Sequence, residues 1–415
     1  MSQSRRVVVT GIGAVSPFGI GAELFWNSLL GGLSAIRPVE SFDASAYRGK
    51  VAAEVPSSVS QDASLAARYG NPQEKATLYA TIAAQEALQD AGLPLVFASE
   101  ARAGCAIGTL CSGAHNLEKY GRAFVYDDGA LPEGGGPPDS IVVSYQLNHL
   151  TGHFNLTGPS TLISTACASS TDAIGFAFDA IRNGDCDTML AGGGDIIGEV
   201  VHGGFNAVFS ITTSKARPFD RERDGFAIGE GGAFIVMESL DSAVARNARI
   251  YGEVLGYGLS NSAYHLTSTS KTGEGEGLAI RRALAEAQLE PSQIAYINAH
   301  GTATSANDST ETNSIHAIFG DHAENLYVSS IKPMIGHCMG AAGIFEAIST
   351  ILTVHHDQVP PTINTAGNEA GMRFKLVKDK AVKAPVQYAL SESFGFAGAC
   401  SCVVIGKYQH SQVGN

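Results

Sequence analysis

Ile163-Ser164-Thr165-Ala166-Cys167-Ala168-Ser169-Ser170 is the point where an apolar, strand-like run gives way to small residues and then to a helical pattern over residues 171–182. A strand that turns sharply into a helix places the turn residue at the helix N-terminus. Free backbone N–H groups and the positive end of the helix dipole favour a thiolate there. We therefore expect Cys167 to be a nucleophile, and a buried, inert cysteine is the alternative.

Composition excludes several classes of function. The chain has 415 residues and a formal net charge of −13, which argues against nucleic acid as a general partner, because such binding depends on neutralising phosphates. No apolar run reaches the roughly 18 residues of a membrane helix, and the N-terminus has no signal-peptide pattern, so we expect no membrane partner and a cytoplasmic location. The 7 cysteines lack paired spacing and indicate neither disulfides nor a metal site.

A glycine pair near the N-terminus invites a dinucleotide-binding interpretation. Gly11 and Gly13 follow the strand-like run Val7-Val8-Val9, but Ser16 stands where the third glycine of that motif belongs. No acidic residue follows at the expected distance. The sequence therefore argues against a nucleotide site.

The pattern of the first half begins again near residue 250. Residues 251–260 repeat the strand with two spaced glycines seen in Val7–Ser16, and both halves contain amphipathic helices, at Lys75–Ala91 and at residues 277–289. We predict an α/β protein of two similar halves, residues 1–250 and 251–415. The alternative is two unrelated α/β domains.

Two histidines lie at strand-to-helix junctions of the second half. His300 stands in Asn298-Ala299-His300-Gly301-Thr302-Ala303-Thr304, and His337 stands between Gly336 and Cys338. Each alone is more often structural. Open α/β folds, however, place active residues at the carboxyl ends of strands, so a cysteine and two histidines at three such junctions favour a common site.

These segments resemble the β-ketoacyl-acyl-carrier-protein synthases, the elongating condensing enzymes of the thiolase superfamily. The match runs from residue 7 to Phe396, and its most specific parts surround Cys167, His300 and His337 with Lys332. The resemblance implies a thiolase-like fold with two pseudo-repeated halves in a layered αβαβα core. Within this family, the chain resembles synthase II of fatty-acid elongation and also the type II polyketide and aryl polyene ketosynthases.

The resemblance also implies a role for each matching residue. Cys167 is the expected nucleophile, His300 and His337 the decarboxylation pair, and Lys332 the active-site lysine. The backbone N–H of Phe396 is expected to join that of Cys167 in an oxyanion hole. The remaining implied residues are the supporting carboxylates and the two hydroxyls that bind the phosphopantetheine arm: Asp308, Glu311, Glu346, Thr302 and Thr304.

The chemistry explains these residue types. A thiolate is a strong nucleophile and its thioester stays reactive, while the tetrahedral oxyanion needs preorganised donors. After malonyl thioester loses CO2, two imidazole Nε2–H groups can stabilise the enolate oxygen without a metal. We expect no resident cofactor, because the phosphopantetheine arrives on the carrier protein. For Thr302 and Thr304, turn capping is the alternative to binding that arm.

The implied partners are an acyl carrier protein and a second subunit. Because the chain and the carrier protein are both acidic, docking needs a local basic patch. The candidates are basic residues in loops or at helix edges: Arg68, Lys75, Arg217, Arg221 and Arg223. The resemblance implies a dimer, either a homodimer or a heterodimer with a chain-length-factor-like relative.

Departures from the family pattern bear on the substrate. Glu392 stands where fatty-acid enzymes commonly have asparagine, and Ala397-Gly398-Ala399-Cys400 replaces a common Gly-Gly-Thr-Asn ending. The catalytic set is intact, so the departures leave fatty-acid and polyketide pathways open. The alternatives to a ketosynthase are a non-catalytic chain-length-factor-like subunit, which lacks the cysteine, and a thiolase, which arranges its cysteines and histidine in other motifs.

Overall fold

The computed structural model describes residues 5–126, 137–367 and 369–409. The turn-rich residues 127–138 predict a surface loop, and residues 127–136 of it lie outside the described part. The strands of the first half are β1 (Val7–Ser16), β2 (Gly19–Ile20), β3 (Arg37–Pro38), β4 (Val51–Ala53), β5 (Ala103–Gly108), β6 (Ser160–Ile163), β7 (Thr188–Asp195), β8 (Ile228–Gly229) and β9 (Gly231–Ser239). Its helices are α1 (Ala22–Leu30), α2 (Ser57–Ser60), α3 (Ala63–Arg68), α4 (Lys75–Ala91), α5 (Ala114–Tyr126), α6 (Ser144–Phe154), α7 (Ser169–Arg182), α8 (Glu199–Ala207) and α9 (Leu240–Ala245).

The second half has fewer elements in the described residues. Its strands are β10 (Gly252–Asn261), β11 (Tyr296–Asn298), β12 (Tyr327–Ser329), β13 (Gln358–Val359), β14 (Lys375–Leu376), β15 (Val382–Lys383), β16 (Tyr388–Phe394) and β17 (Ala399–Gly406). Its helices are α10 (Glu274–Ala287), α11 (Ser305–Phe319), α12 (Lys332–Ile335) and α13 (Ala342–His356). Within the described ranges, no helix has the length and hydropathy that crossing a membrane requires.

One large sheet passes through both halves, in the order β14-β12-β11-β16-β17-β10-β1-β9-β7-β5-β6. The halves meet at its centre, where β1 and β10 pair antiparallel with Val7 opposite Val254. From there each half repeats one pattern. An antiparallel neighbour (β9 or β17) is followed by a second antiparallel strand (β7 or β16) and then by parallel strands. The two pseudo-repeated halves are confirmed, and the boundary at residues 250 and 251 stays a prediction.

The glycines of β1 allow helix α4 to pack directly against the strand. A Cβ on Gly11 would lie 2.1 Å from the carbonyl oxygen of Ala87, and one on Gly13 would lie 2.0 Å from that of Ala83. Both alanines belong to α4, whose backbone therefore rests directly on the strand. No side chain larger than hydrogen fits between them, which explains the Gly-Ile-Gly spacing without a nucleotide.

The second half repeats this contact. A Cβ on Gly258 would lie 2.1 Å from the carbonyl oxygen of Ala279, and one on Gly256 would lie 2.4 Å from that of Ala283, both in α10. The glycine pattern therefore recurs in both halves because each half packs one helix directly against a central strand.

Helices α7 and α13 form the layer between the two halves. Each contacts the other and strands from both halves, while α4 covers β1 and β9 and α10 covers β10 and β17. A Cβ on Gly343 of α13 would lie 2.9 Å from the backbone nitrogen of Thr171 of α7, so the two helices meet closely. This gives the layered αβαβα core, and it brings the N-termini of α7 and α13 together.

Candidate active site

Cys167 stands in a strained turn. The single turn Ala166–Ala168 separates β6 from α7, and Ala166 has a φ of 53°. Left-handed backbone at a non-glycine residue costs free energy and is concentrated at functional sites. The side chain of Cys167 is buried, and the backbone N–H of Phe396 donates to its sulfur.

The structure brings the cysteine and both histidines together. His337 Nε2 lies 3.0 Å from Cys167 Sγ, and the rings of His300 and His337 are edge to face with centroids 5.4 Å apart. One ligand-type atom from each of the three residues lies within 4.8 Å of the others. The expected convergence of the three residues is therefore present, although His337 follows helix α12 and not a strand, so the prediction of a strand-to-helix junction there is wrong.

His337 is fixed by backbone bonds and by an aromatic ring. Its N–H donates to the Ala227 carbonyl at 2.7 Å, its carbonyl accepts from Gly229 N–H at 2.9 Å, and its ring packs edge-on against Phe226. Its Nδ1 atom is buried and has no hydrogen-bond partner among the described residues. The position of the ring is thus determined, while its tautomer is not.

His300 has its tautomer determined by Lys332. The ammonium Nζ lies 3.2 Å from His300 Nδ1 and donates to the His300 carbonyl at 2.6 Å. An ammonium can only donate, so Nδ1 accepts and the ring proton of the neutral imidazole lies on Nε2. His300 therefore presents a hydrogen-bond donor to the cavity.

Lys332 and Glu346 form a buried ion pair behind His300. Both side chains are 2% exposed, and Lys332 Nζ bonds to Glu346 Oε1. Burial raises the pKa of Glu346 to about 7, although the Lys332 charge opposes that rise. The hydroxyl of Ser393 also donates to Glu346, at 3.4 Å. Glu346 thus holds the lysine in place from α13.

Burial keeps both imidazoles neutral. Desolvation, with the Lys332 charge as the second cause, lowers the pKa of His300 and His337 well below the usual range. A neutral imidazole keeps one donor and one acceptor nitrogen, which an imidazolium does not.

The expectation of a resting thiolate is wrong. Burial raises the pKa of Cys167 to about 11, against the opposing effects of Lys332 and the Phe396 N–H. Desolvation outweighs the helix N-terminus because the side chain is almost completely buried. Cys167 is therefore a thiol at neutral pH and must lose its proton during the reaction, with His337 Nε2 in position to accept it.

Glu311 and Asp308 support the loop that carries His300. Glu311 accepts from the backbone N–H groups of His300 and Gly301 at 2.5 and 2.8 Å. Asp308 accepts from the N–H groups of Phe219 at 2.8 Å and Ala303 at 3.1 Å. Burial raises the pKa of Asp308 to about 6, and it also raises that of Glu311, against the opposing effect of the Gly301 and His300 N–H groups. Both carboxyls therefore hold backbone N–H groups of this loop.

Thr302 and Thr304 line the cavity that reaches Cys167. Their hydroxyls lie 2.9 Å apart, and Thr267, Ser268 and Thr269 line the same cavity. Thr304 precedes α11, but its side chain makes no capping hydrogen bond. The hydroxyls are therefore available to a ligand in the cavity.

The three central residues have spacing that could hold a metal ion. The proton arrangement argues against that use, because Lys332 fills the far side of His300 and leaves a hydrogen on the Nε2 atom that faces the cavity. The set fits an oxyanion or enolate, which needs donors, better than a cation, which needs lone pairs.

The structure divides the basic docking candidates. Arg217 and Arg221 belong to the same segment as Arg223, which donates to the carbonyls of Thr304 and Ser305, and Arg217 is paired with Glu222 at 3.8 Å. Arg223 itself is wrong as a docking residue: its side chain is 7% exposed and ion-paired with Glu369. Lys75 lines a separate cavity with His115 and Glu230, and Arg68 is exposed on α3.

Sequence reasoning missed Asp195. This buried carboxylate, at the end of β7, accepts from the Thr109 hydroxyl at 2.5 Å and from the N–H groups of Leu110 and Cys111. It fixes the turn after β5 beside Gly340 of the second half. A carboxylate directly after the glycines at 192–194 was the available signal.

Comparison with known proteins agrees with this geometry. The model of the β-ketoacyl synthase N-terminal domain matches residues 4–243, and that of the C-terminal domain matches residues 251–366. The 3-oxoacyl-[acyl-carrier-protein] synthase 2 of Coxiella burnetii is 35% identical over 98% of this chain and 99% of its own length. That of Synechocystis is 36% identical over the same shares.

Solved structures extend the comparison to the fold. The ishigamide ketosynthase/chain length factor has a TM-score of 0.90 and 34% identity, over 98% of this chain and all of that chain. A type II PKS acyl-carrier protein in complex with its ketosynthase, AntDE:AntF, gives a TM-score of 0.88 and 31% identity over 98% and 100%. Family models over both halves, full-length relatives and the thiolase-like fold place this chain in the β-ketoacyl synthase family.

Proposed function

We propose that this chain, a ketosynthase of the acyltransferase class, condenses malonyl-acyl carrier protein with an acyl chain on Cys167 and releases CO2. One observation carries the proposal: a sulfur from the first half and two imidazoles from the second share one buried cavity. The relatives include both 3-oxoacyl-[acyl-carrier-protein] synthases and type II PKS ketosynthases at similar identity. The proposal therefore covers fatty-acid and type II polyketide chains.

The first step transfers the acyl group to sulfur. The thiol proton passes to His337 Nε2, 3.0 Å away, as the sulfur attacks the thioester carbonyl of the acyl carrier protein. The backbone N–H groups of Cys167 and Phe396 stabilise the oxyanion. The carbon–sulfur bond to the carrier then breaks, and the leaving thiolate takes the proton from His337.

The second step makes the carbon nucleophile. The thioester oxygen of malonyl-acyl carrier protein accepts hydrogen bonds from Nε2–H of both histidines. The bond to the carboxylate breaks, CO2 leaves, and its electron pair forms the enolate that the two donors stabilise. His300 is already in the donor tautomer, and His337 is free to adopt it because nothing holds its Nδ1.

The third step joins the two chains. The enolate carbon attacks the Cys167 thioester carbonyl, whose oxygen uses the same two backbone donors. Collapse of the tetrahedral intermediate expels the Cys167 thiolate, which takes up one proton from solvent, and leaves the 3-oxoacyl chain on the carrier. Because substrates arrive on a phosphopantetheine arm that Thr302 and Thr304 are placed to bind, the proposed reaction uses no resident cofactor.

The acyl carrier protein is the proposed macromolecular partner. A solved relative is described as a complex of a type II PKS acyl-carrier protein with its ketosynthase, which supports this assignment. Arg217 and Arg221, in the segment that Arg223 joins to Thr304 and Ser305, are the proposed docking residues for this acidic partner.

A second subunit is proposed to cover the free edge at β6. This strand ends the central sheet, and an unpaired edge favours strand addition. Large apolar side chains are exposed on α5 and before α6: Leu117, Phe124, Val125, Tyr126, Val142 and Val143. A twofold partner, either a copy of this chain or a chain-length-factor-like relative, would bury them.

Acyl transfer tests the assignment of Cys167. We expect wild-type protein to gain one acyl adduct from an acyl-acyl carrier protein, located on Cys167 by intact mass and peptide mapping. Cys167→Ala should gain none, yet it should still release CO2 from malonyl-acyl carrier protein because both imidazole donors remain. Simple acyl-pantetheine thioesters as donors separate recognition of the arm from recognition of the carrier.

Some outcomes would refute the proposal. An adduct on another residue excludes Cys167 as the nucleophile. Absence of both adduct and CO2 release from folded wild-type protein would favour the non-catalytic alternative, and cleavage of 3-oxoacyl thioesters without CO2 release would favour a thiolase.

A further inference from the structure

Glu392 occupies an unusual place for a carboxyl group. It lies in β16, is 0% exposed, and points to the face of the sheet opposite Ser393, whose hydroxyl bonds to Glu346. Neither of its oxygens has a hydrogen-bond partner that donates to it among the described residues. A buried carboxylate without donors is costly, so the group needs another explanation.

Two carboxyl groups act on Glu392. Its side chain is within hydrogen-bond reach of the Glu311 carboxyl, and Glu276 of α10 adds a further negative charge. Two carboxylates cannot share such a contact, because both would only accept. One of the pair must therefore carry a proton at neutral pH.

The hydrogen-bond pattern decides which one carries it. Glu311 accepts from the backbone N–H groups of His300 and Gly301 and from Asn307 Nδ2 at 3.2 Å. Three N–H donors stabilise the anion on Glu311, whereas Glu392 has none. Glu392 is the acid of the pair, and burial with the Glu311 charge raises the pKa of Glu392 well above its usual range.

We propose that Glu392 is a positioning residue: its carboxylic acid donates a hydrogen bond to Glu311, and Glu311 holds the His300 loop. This inference rests on the proposed function, in which His300 is a donor to the enolate. It also assigns a consequence to a departure noted in the sequence. The asparagine that is common at this position offers an N–H donor at every pH, whereas a glutamic acid offers one only while it is protonated.

The surroundings of Glu392 define the direction of the pH effect. The titratable groups that face it are Glu311 of α11, Glu276 of α10 and Cys402 of β17. All three are neutral or negative. Loss of the proton at alkaline pH would place two or three negative charges together, withdraw the donor from Glu311 and loosen the His300 loop.

Substitutions at residue 392 separate donation from packing. Glu392→Gln keeps size and an N–H donor but does not titrate, and Glu392→Leu keeps the approximate size but donates nothing. We would measure CO2 release from malonyl-acyl carrier protein from about pH 6 to about pH 10, with thermal unfolding at each pH as the control for folding. If wild-type protein releases no CO2, the proposed function fails.

We expect Glu392→Gln to match wild type at neutral pH and Glu392→Leu to be slower by about tenfold, the factor for a lost hydrogen bond to a charged group. With rising pH the wild-type rate should fall relative to that of Glu392→Gln. Equal rates for Glu392→Leu and wild type at neutral pH, or a wild-type to Glu392→Gln ratio that is constant with pH, would overturn the proposal.

Infrared difference spectroscopy tests the proton without any activity. At neutral pH the difference between wild type and Glu392→Gln should contain the carbonyl stretch of a protonated carboxylic acid, and that band should disappear at alkaline pH. A neutral-pH difference that contains only carboxylate bands would show that Glu392 is ionised and would overturn the proposal even if the enzyme is active.

Discussion

His300 and His337 lie side by side against the same sulfur, yet the protein treats their far nitrogens differently. Lys332 lies against Nδ1 of His300, whereas Nδ1 of His337 is buried without a partner among the described residues. His300 is thus a permanent Nε2–H donor. His337 can accept a proton from the thiol in one step and donate to the enolate in the next.

The difference shows that two identical side chains acquire separate roles from the groups that contact their Nδ1 atoms. His300 needs an ammonium and its counterion, and both are buried with it. His337 needs only a fixed ring, which backbone bonds and Phe226 provide. A site that must both deprotonate a thiol and stabilise an enolate benefits from one constant and one adaptable imidazole.

Replacing each histidine is the strongest test of this comparison. We expect His300→Ala and His337→Ala each to slow CO2 release from malonyl-acyl carrier protein by at least about a hundredfold, the loss typical of one oxyanion donor. Acyl transfer to Cys167 should separate them. His337→Ala should slow it by about a hundredfold or more, because the thiol loses its proton acceptor, and His300→Ala should change it by less than about threefold.

Rapid-quench mass spectrometry of the acyl adduct measures the rate of acyl transfer to Cys167. Equal losses of acyl transfer in both variants would contradict the division of roles. Circular dichroism and retained binding of the acyl carrier protein would show that the variants are folded.

Removing the ammonium should make His300 resemble His337. In Lys332→Met the donor to Nδ1 is lost, so the Nε2–H tautomer is no longer enforced, and we expect CO2 release to fall by about tenfold. The double variant Lys332→Met/Glu346→Gln is the matched control, since it avoids an unpaired buried carboxylate. Steady-state CO2 release from both variants checks this, and wild-type rates in both would show that Lys332 does not act through His300.

The smallest effect concerns pH. Acyl transfer needs neutral His337, so its rate falls as pH drops through the pKa of that group. Because burial and Lys332 hold this pKa well below the usual range, the wild-type rate should stay constant as pH falls through about 6.5. In Lys332→Met, loss of the positive charge should raise the pKa of His337, so the rate of acyl transfer should fall at a higher pH than in wild type. Pre-steady-state acyl transfer across this range would contradict the assignment if wild type already loses rate near the usual histidine value.

Local signals in the sequence predicted the elements that depend on them. Helix α4 spans Lys75–Ala91 as predicted, because Gly92 ends it in a left-handed conformation and Glu74 caps its first turn. Helix α10 begins at Glu274, three residues before the predicted start at residue 277, since its first turn lacks the apolar pattern that marks the rest. The common position of Cys167 and His300 followed from their places after β6 and β11, whereas His337 lies between α12 and α13.

Properties that depend on distant residues could not be predicted. The protonation state of Cys167 reflects burial by the second half, which a local helix terminus does not indicate. The sequence predicts Arg223 to be an exposed docking residue, but its burial depends on an ion pair with Glu369, which is distant in the sequence. The meeting of Glu392 with Glu311 and Glu276 joins a strand and two helices that the linear sequence separates widely.

Because α7 and α13 pack closely, the geometry of the catalytic cluster depends on the docking of the two halves. Cys167 precedes one of these helices and His337 precedes the other, so the 3.0 Å between sulfur and imidazole exists only while the two are fully docked. A chain whose halves have each folded but not yet joined would separate the thiol from its proton acceptor. The appearance of acyl transfer to Cys167 therefore marks the end of folding.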